Sequence, residues 1–137
     1  KLPKLDGYCE ARRNAARAYS KAFRNQQHIV TPVTVNNCEG ICDVCDCHVF
    51  HQYTLKITNG KRDALVKYLN ENEIPCGVYY PIPLHKQKAY VDKRYKEEDF
   101  PVTNQLVKEV ISLPMHTELD EEQINHITKM VIGFVNG

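Results

Sequence analysis

From Val49 to Ile57 the chain alternates with a period of two: Val49, His51, Tyr53, Leu55 and Ile57 fall on one face, and Phe50, Gln52, Thr54 and Lys56 on the other. Such alternation predicts a half-buried strand, and a strand with one apolar face needs a second layer to cover it. Helical patterning on either side supplies that layer. Over residues 7–25, Tyr8, Ala11, Ala15, Ala18, Tyr19, Ala22 and Phe23 recur at spacings of three and four, with Arg12, Arg13, Arg17, Lys21 and Arg24 mostly between them. That spacing predicts an amphipathic helix. After Asn59-Gly60, the residues Ala64, Leu65, Tyr68 and Leu69 define another, ending near Asn72 ahead of Ile74-Pro75. A third follows Phe100-Pro101 and carries Leu106, Val107 and Val110. Thr117 with Asp120 three residues on reads as a capping box in which Asp replaces the usual Glu or Gln, and Glu118, Glu121 and Glu122 suit the positive end of the dipole. The last helix follows with Ile124, Ile127, Met130, Val131, Phe134 and Val135 as its buried stripe.

The other strands are shorter. Ile29 to Val35 is a β-branched run holding Pro32, which predicts an edge or interrupted strand. Cys76, Val78 and Tyr80 predict a short strand leading into Tyr80-Pro81-Ile82-Pro83-Leu84-His85, where two prolines fix an extended backbone that cannot join a central ladder. Gln87 to Asp99 is polar and predicts a surface loop with a helical turn; Ile111-Ser112-Leu113-Pro114 predicts a brief strand closed by proline. The order of elements gives a two-layer α/β or α+β sandwich. A length of 137 residues fits one domain, 1–137.

Charge and composition exclude several partners. Eighteen basic and 17 acidic residues leave a net charge of +1, which offers no footprint for nucleic acid or an anionic membrane. No apolar run approaches the roughly 20 residues needed to span a bilayer. No charged segment followed by an apolar stretch suggests a signal peptide, and Lys1 in place of an initiator Met is expected to be a cut end. Six cysteines are many for this length. Cys38, Cys42, Cys45 and Cys47 crowd into residues 36–48, a segment without apolar period that predicts a loop, with His48 and His51 just after. Clustered rather than evenly spread cysteines point to a reducing compartment, hence a cytoplasmic location. Cys38-x3-Cys42-x2-Cys45 matches the spacing that holds the cluster of radical SAM enzymes, but that chemistry needs a barrel larger than this chain builds. Those thiolates with Cys47 or His48 are also suitable zinc ligands, although structural zinc sites draw on two separated knuckles. A reduced loop is the competing reading, and a stand-alone metal-binding or interaction module using Cys38 to His48 is the alternative function.

No Ser/His/Asp order, phosphate loop or zinc-protease helix is present. His85, on the proline-stiffened segment beside Tyr79 and Tyr80, combines an imidazole with aromatic faces, a set suited to a sugar or nucleotide. Tyrosine pairs at strand ends are equally common at the rim of a core.

Taken in order, Leu2-Pro3-Lys4-Leu5-Asp6 with Glu10-Ala11-Arg12-Arg13, His51-Gln52-Tyr53-Thr54-Leu55, Gly77-Val78-Tyr79-Tyr80-Pro81-Ile82-Pro83-Leu84-His85, Phe100-Pro101-Val102 and Ser112-Leu113-Pro114-Met115-His116 resemble the C-terminal part of the DegT/DnrJ/StrS family of nucleotide-sugar aminotransferases. The resemblance implies the small C-terminal domain of a fold-type I, aspartate aminotransferase-like enzyme: a small, mainly antiparallel sheet with helices packed on it. It implies pyridoxal phosphate as cofactor, glutamate as the usual amino donor and a nucleotide-linked keto sugar as acceptor, in a homodimer. The large cofactor-binding domain with its Schiff-base lysine is expected to be missing from these residues, so no catalytic residue is nominated, no cofactor is expected on this chain, and the chain alone is expected to be inactive. Tyr79, Tyr80, His85, Gln52 and Tyr53 are the substrate-side residues the resemblance implies. Tyr79 stands where members often carry histidine, which favours stacking or hydrogen bonding over proton transfer.

Overall fold

Tyr53, Leu55 and Ile57 are all fully buried, and the sheet is built around them. The computed structural model describes residues 2–33 and 48–137, and the Cys38 to Cys47 cluster lies outside the described residues. Among the described residues, three antiparallel strands lie in the order β1-β2-β3, with β1 at Ile29–Val30, β2 at Tyr53–Ile57 and β3 at Val110–Leu113. The register pairs Ile29 with Ile57, Tyr53 with Leu113 and Leu55 with Ile111, so apolar side chains meet across both ladders.

The alternation starting at Val49 overstates β2. Opposite Tyr53 stands Leu113, after which Pro114 closes β3, so the residues before Tyr53 have no ladder to join. They fold locally instead: Phe50 takes a left-handed φ of 46° and its N–H donates to His48 Nδ1 at 2.9 Å. The strand predicted at Cys76 to Tyr80 is likewise reduced to one bridge. Gly77 N–H donates to the Ser112 carbonyl at 3.0 Å and Ser112 N–H to the Gly77 carbonyl at 2.7 Å. Pro75 and Pro81, which lack N–H donors, bound the stretch that can pair.

Among the described residues, four α-helices follow the predicted order. The first, α1 (Leu5–Phe23), begins two residues earlier than the spacing predicts and buries Ala15, Ala16, Tyr19 and Phe23. Asn25 and His28 both turn at φ 63° between α1 and β1, and Gly60 at φ 77° precedes α2 (Arg62–Glu71). Asn and His are among the few side-chain-bearing types that tolerate this region. Next, α3 (Pro101–Glu109) opens with proline at its first turn, where the missing donor costs nothing, and Val110 starts β3 rather than ending the helix. Asp120, not Thr117, caps α4 (Glu121–Asn136): its carboxylate accepts from Gln123 N–H while Gln123 Oε1 accepts from Asp120 N–H. The box therefore lies three residues beyond the predicted one, because Gln123, three residues after Asp120, completes the reciprocal pair.

The core is one cluster in which Tyr19 and Phe23 of α1, Leu65 and Leu69 of α2, and Val131 and Val135 of α4 cover the sheet residues. Each fully buried aliphatic or aromatic side chain contributes roughly 1.5–3 kcal/mol. Met130 and Phe134 sit at its edge, where Phe134 stacks on Tyr68 with centroids 4.7 Å apart. This is the two-layer α/β architecture expected from the sequence, with a small antiparallel sheet.

Candidate functional site

The Gly77–Ser112 bridge fixes where the proline-stiffened segment leaves the sheet. From there Tyr79, Tyr80 and Ile82 form one wall of a cleft of about 560 Å3, and Thr103, Leu106 and Val107 of α3 with Val110 form the other. Pro83 is held extended (φ −60°, ψ 148°) before a 3-10 turn at Leu84–Lys86, and Gln87 Nε2 closes the loop by donating to the Ile82 carbonyl at 3.4 Å. Tyr79 and Tyr80 meet edge to face, centroids 6.1 Å apart, and remain 53% and 76% exposed. Among the described lining residues none is charged: two phenols, the Gln87 amide and the Thr103 hydroxyl are the polar side chains, and the rest present C–H surface. Such a wall can stack on the C–H face of a ring and hydrogen-bond its hydroxyls.

Of the five residues predicted on the substrate side, the cleft brings together Tyr79 and Tyr80. His85 is half-buried and does not line it; the imidazole lies against Phe100, and Nε2 is buried without a hydrogen-bond partner among the described residues. Gln52 is exposed and also lies outside the cleft lining. Tyr53 presents no surface at all: it packs on Tyr19, its hydroxyl lies 2.9 Å from Ser20 Oγ, and burial pushes its phenol up to about 12. The alternating strand pointed Tyr53 inward, and in this chain inward is the core.

The residues missed by sequence reasoning are those of α3. The sequence shows Leu106 and Val107 as apolar positions of a helix; α3 buries none of its residues, and these two line the cleft. The chain order, which runs α3 directly into β3 beside Gly77, is the one signal that places this helix against the proline segment. Beside the cleft, Lys86 pairs with Glu97 and, through that hydrogen bond first, holds the Glu97 carboxyl below the usual carboxylate range. Among the described residues no group of three or more His, Cys, Asp or Glu is placed to hold a metal, and no helix is long and apolar enough to cross a membrane.

Among the described residues, the small α/β layer presents from its Pro-x-Pro segment an aromatic cleft whose lining carries no charged side chain. The chain belongs to the DegT/DnrJ/EryC1/StrS aminotransferase family, whose model matches residues 1–132. It is 38% identical to a pleiotropic regulatory protein of Geobacillus stearothermophilus, over 98% of this chain and 34% of that protein. It is 31% identical to the dTDP-3-amino-3,6-dideoxy-alpha-D-galactopyranose transaminase of Aneurinibacillus thermoaerophilus, over 96% of this chain and 32% of the relative. A crystal structure of a DegT DnrJ EryC1 StrS aminotransferase from Brucella abortus superposes with a TM-score of 0.79 at 30% identity, over 99% of this chain and 33% of the other. The chain thus spans about a third of the length of the relatives it matches.

Pyridoxal phosphate, the cofactor expected for this family, needs a lysine amine, a charged partner at its ring nitrogen and donors around its phosphate. The described lining of the cleft holds no Lys, Arg, Asp or Glu. The cleft does not fit the cofactor, and no chemical step is assigned to it.

Proposed function

We propose that residues 1–137 are the small domain of a pyridoxal phosphate-dependent aminotransferase that moves an amino group from an amino acid, glutamate in the first instance, to a nucleotide-linked keto sugar. The observation that carries this reading is the uncharged cleft of Tyr79 and Tyr80, found in a chain that belongs to the family. In this reading the cofactor supplies the electron sink for amino transfer and is held by a large domain outside these residues. Tyr79 and Tyr80 offer stacking faces and hydroxyls to the acceptor, and Thr103 and Gln87 offer further hydrogen bonds. Tyr53 and His85 act at one remove, Tyr53 as core and His85 as a brace. The whole protein is proposed to be a homodimer working in the cytoplasm.

The test compares the 137-residue chain with the whole protein that carries it, using nucleotide-linked keto sugars with glutamate. Turnover by the whole protein and none by the chain alone is expected, and Tyr79→Ala and Tyr80→Ala in the whole protein should raise KM for the sugar. Turnover by the 137 residues alone, or no amino transfer by the whole protein to any acceptor in the panel, would sink the reading.

A further inference from the structure

Gly77 is tied on both sides of its peptide to Ser112, at 3.0 and 2.7 Å, and so cannot retreat from its surroundings. Ser112 is itself buried in β3 and shares a 2.8 Å hydroxyl contact with Thr54 of β2, so the anchor continues into the central strand. Over this fixed point lies the Tyr79 ring. A Cβ built on Gly77 would stand 2.6 Å from Tyr79 Cζ, 2.6 Å from its hydroxyl oxygen and 2.8 Å from Cε2. No carbon tolerates such distances. The φ of Gly77 lies outside the left-handed region, so the backbone conformation does not require glycine, and the three atoms nearest to such a Cβ all belong to the Tyr79 ring.

From this we infer that Gly77 is a positioning residue: its missing side chain lets the Tyr79 ring fold back over the bridge, which sets that wall of the cleft and keeps Tyr79 edge-on to Tyr80. The functional half of the inference rests on the reading of the cleft as the acceptor site; the geometric half does not. Because Tyr79 is half-exposed, an alanine at 77 has an escape route, since the ring can swing toward solvent while the bridge to Ser112 stays closed. Displacing the ring also opens its contact with Tyr80. Gly77 therefore acts on the ligand through Tyr79, and its effect should vanish when the ring is removed.

The experiment is a double-mutant cycle of Gly77→Ala and Tyr79→Ala with two readouts. In the 137-residue chain, NMR of ring-labelled tyrosine is expected to show the Tyr79 signals shifted by Gly77→Ala, with the Ser112 and Thr54 amide signals unmoved. In the whole protein, Gly77→Ala is expected to raise KM for the acceptor on the order of tenfold with kcat little changed, and to add nothing in the Tyr79→Ala background. Should Gly77→Ala fail to fold while the double variant folds, the clash is confirmed. Unmoved ring signals, a penalty that persists without the Tyr79 ring, or a double variant that also fails to fold would overturn the inference. A shifted ring with unaltered KM would keep the geometric half and refute the use of this cleft for the acceptor.

Discussion

His85 lies flat on Phe100, ring centroids 4.4 Å apart and planes 18° from parallel. Phe100 immediately precedes α3 and also meets Tyr95 edge-on at 5.9 Å, while Lys86 beside His85 pairs with Glu97. The turn that follows the Pro-x-Pro segment is thereby fastened to the start of the helix forming the opposite wall of the cleft. A stack of this kind is worth about 0.5–1.5 kcal/mol beyond burial.

His85 is expected to act through its ring plane and not through its nitrogens. His85→Phe keeps the stack and removes a buried nitrogen that has no partner among the described residues, so Tm and acceptor KM should stay near those of the parent. His85→Ala should lower Tm by a few degrees and raise KM as the two walls loosen. Thermal unfolding and steady-state kinetics on both variants check this. Lost activity in His85→Phe at unchanged Tm would make the imidazole a ligand-binding group after all.

The chain is expected to lose stability in alkali. Burial raises the Tyr53 phenol to about 12, and raises Tyr19 as well, with Tyr53 beside it adding to the effect. An unfolded tyrosine titrates near about 10, so the unfolded chain releases protons there while the folded one keeps them. The stabilisation is fully present below about pH 10 and is lost as pH rises from about 10 toward the folded values, by roughly 1.4 kcal/mol per pH unit for each phenol. Urea midpoints measured from pH 8 to 11.5 should be flat at first and then fall. Tyr53→Phe should make the fall shallower, and an equally steep fall in that variant would contradict the assignment.

Much of this fold was legible in the sequence, and the errors have a common origin. Tyr53, Leu55 and Ile57 alternate because β2 has one buried face, and the 3.6-residue spacing of Tyr19, Phe23, Val131 and Val135 identifies the helices that cover it. Periodicity records what a segment could bury, not what partner it finds. Val49 to Gln52 keep the pattern of β2 beyond the end of β3, and Leu106 and Val107 keep the pattern of a core helix on a helix that borders a cleft. Tyr79 and Tyr80 line the cleft from the segment that two prolines stiffen, a feature the sequence displays directly. Tyr53 was misplaced because alternation gives a face without saying whether that face is core or ligand.

The cap of α4 separates two readings of the same sequence. Pattern alone nominates Thr117, whereas Asp120 accepts from Gln123 N–H at 2.8 Å. Asp120→Ala should cost about 1 kcal/mol and Thr117→Ala close to nothing. Equal losses in chemical denaturation of the two variants would return the cap to Thr117.

Among the described residues, Arg62 is a buried charged side chain that reaches the cleft through the Val110 carbonyl. Only 7% exposed, it donates from Nη1 to the Val110 carbonyl at 2.7 Å and from Nε to Asp63 Oδ1 at 2.6 Å. Asp63 is open to solvent, so its ion pair is worth about 0–1 kcal/mol, and Asp63→Asn should be nearly silent. The Val110 carbonyl is different, because Val110 opens β3 and lines the cleft. Arg62→Met preserves the packed stem but strands that carbonyl, at a cost of about 1–3 kcal/mol. Tm should fall by roughly 3 to 5 °C per kcal/mol, and acceptor KM should rise with it as the Val110 end of the wall relaxes. Arg62→Lys should recover only part of the loss, since an ammonium cannot reproduce the guanidinium's two-directional fork. If Asp63→Asn proves as damaging as Arg62→Met, the ion pair and not the strand carbonyl is what the buried arginine serves.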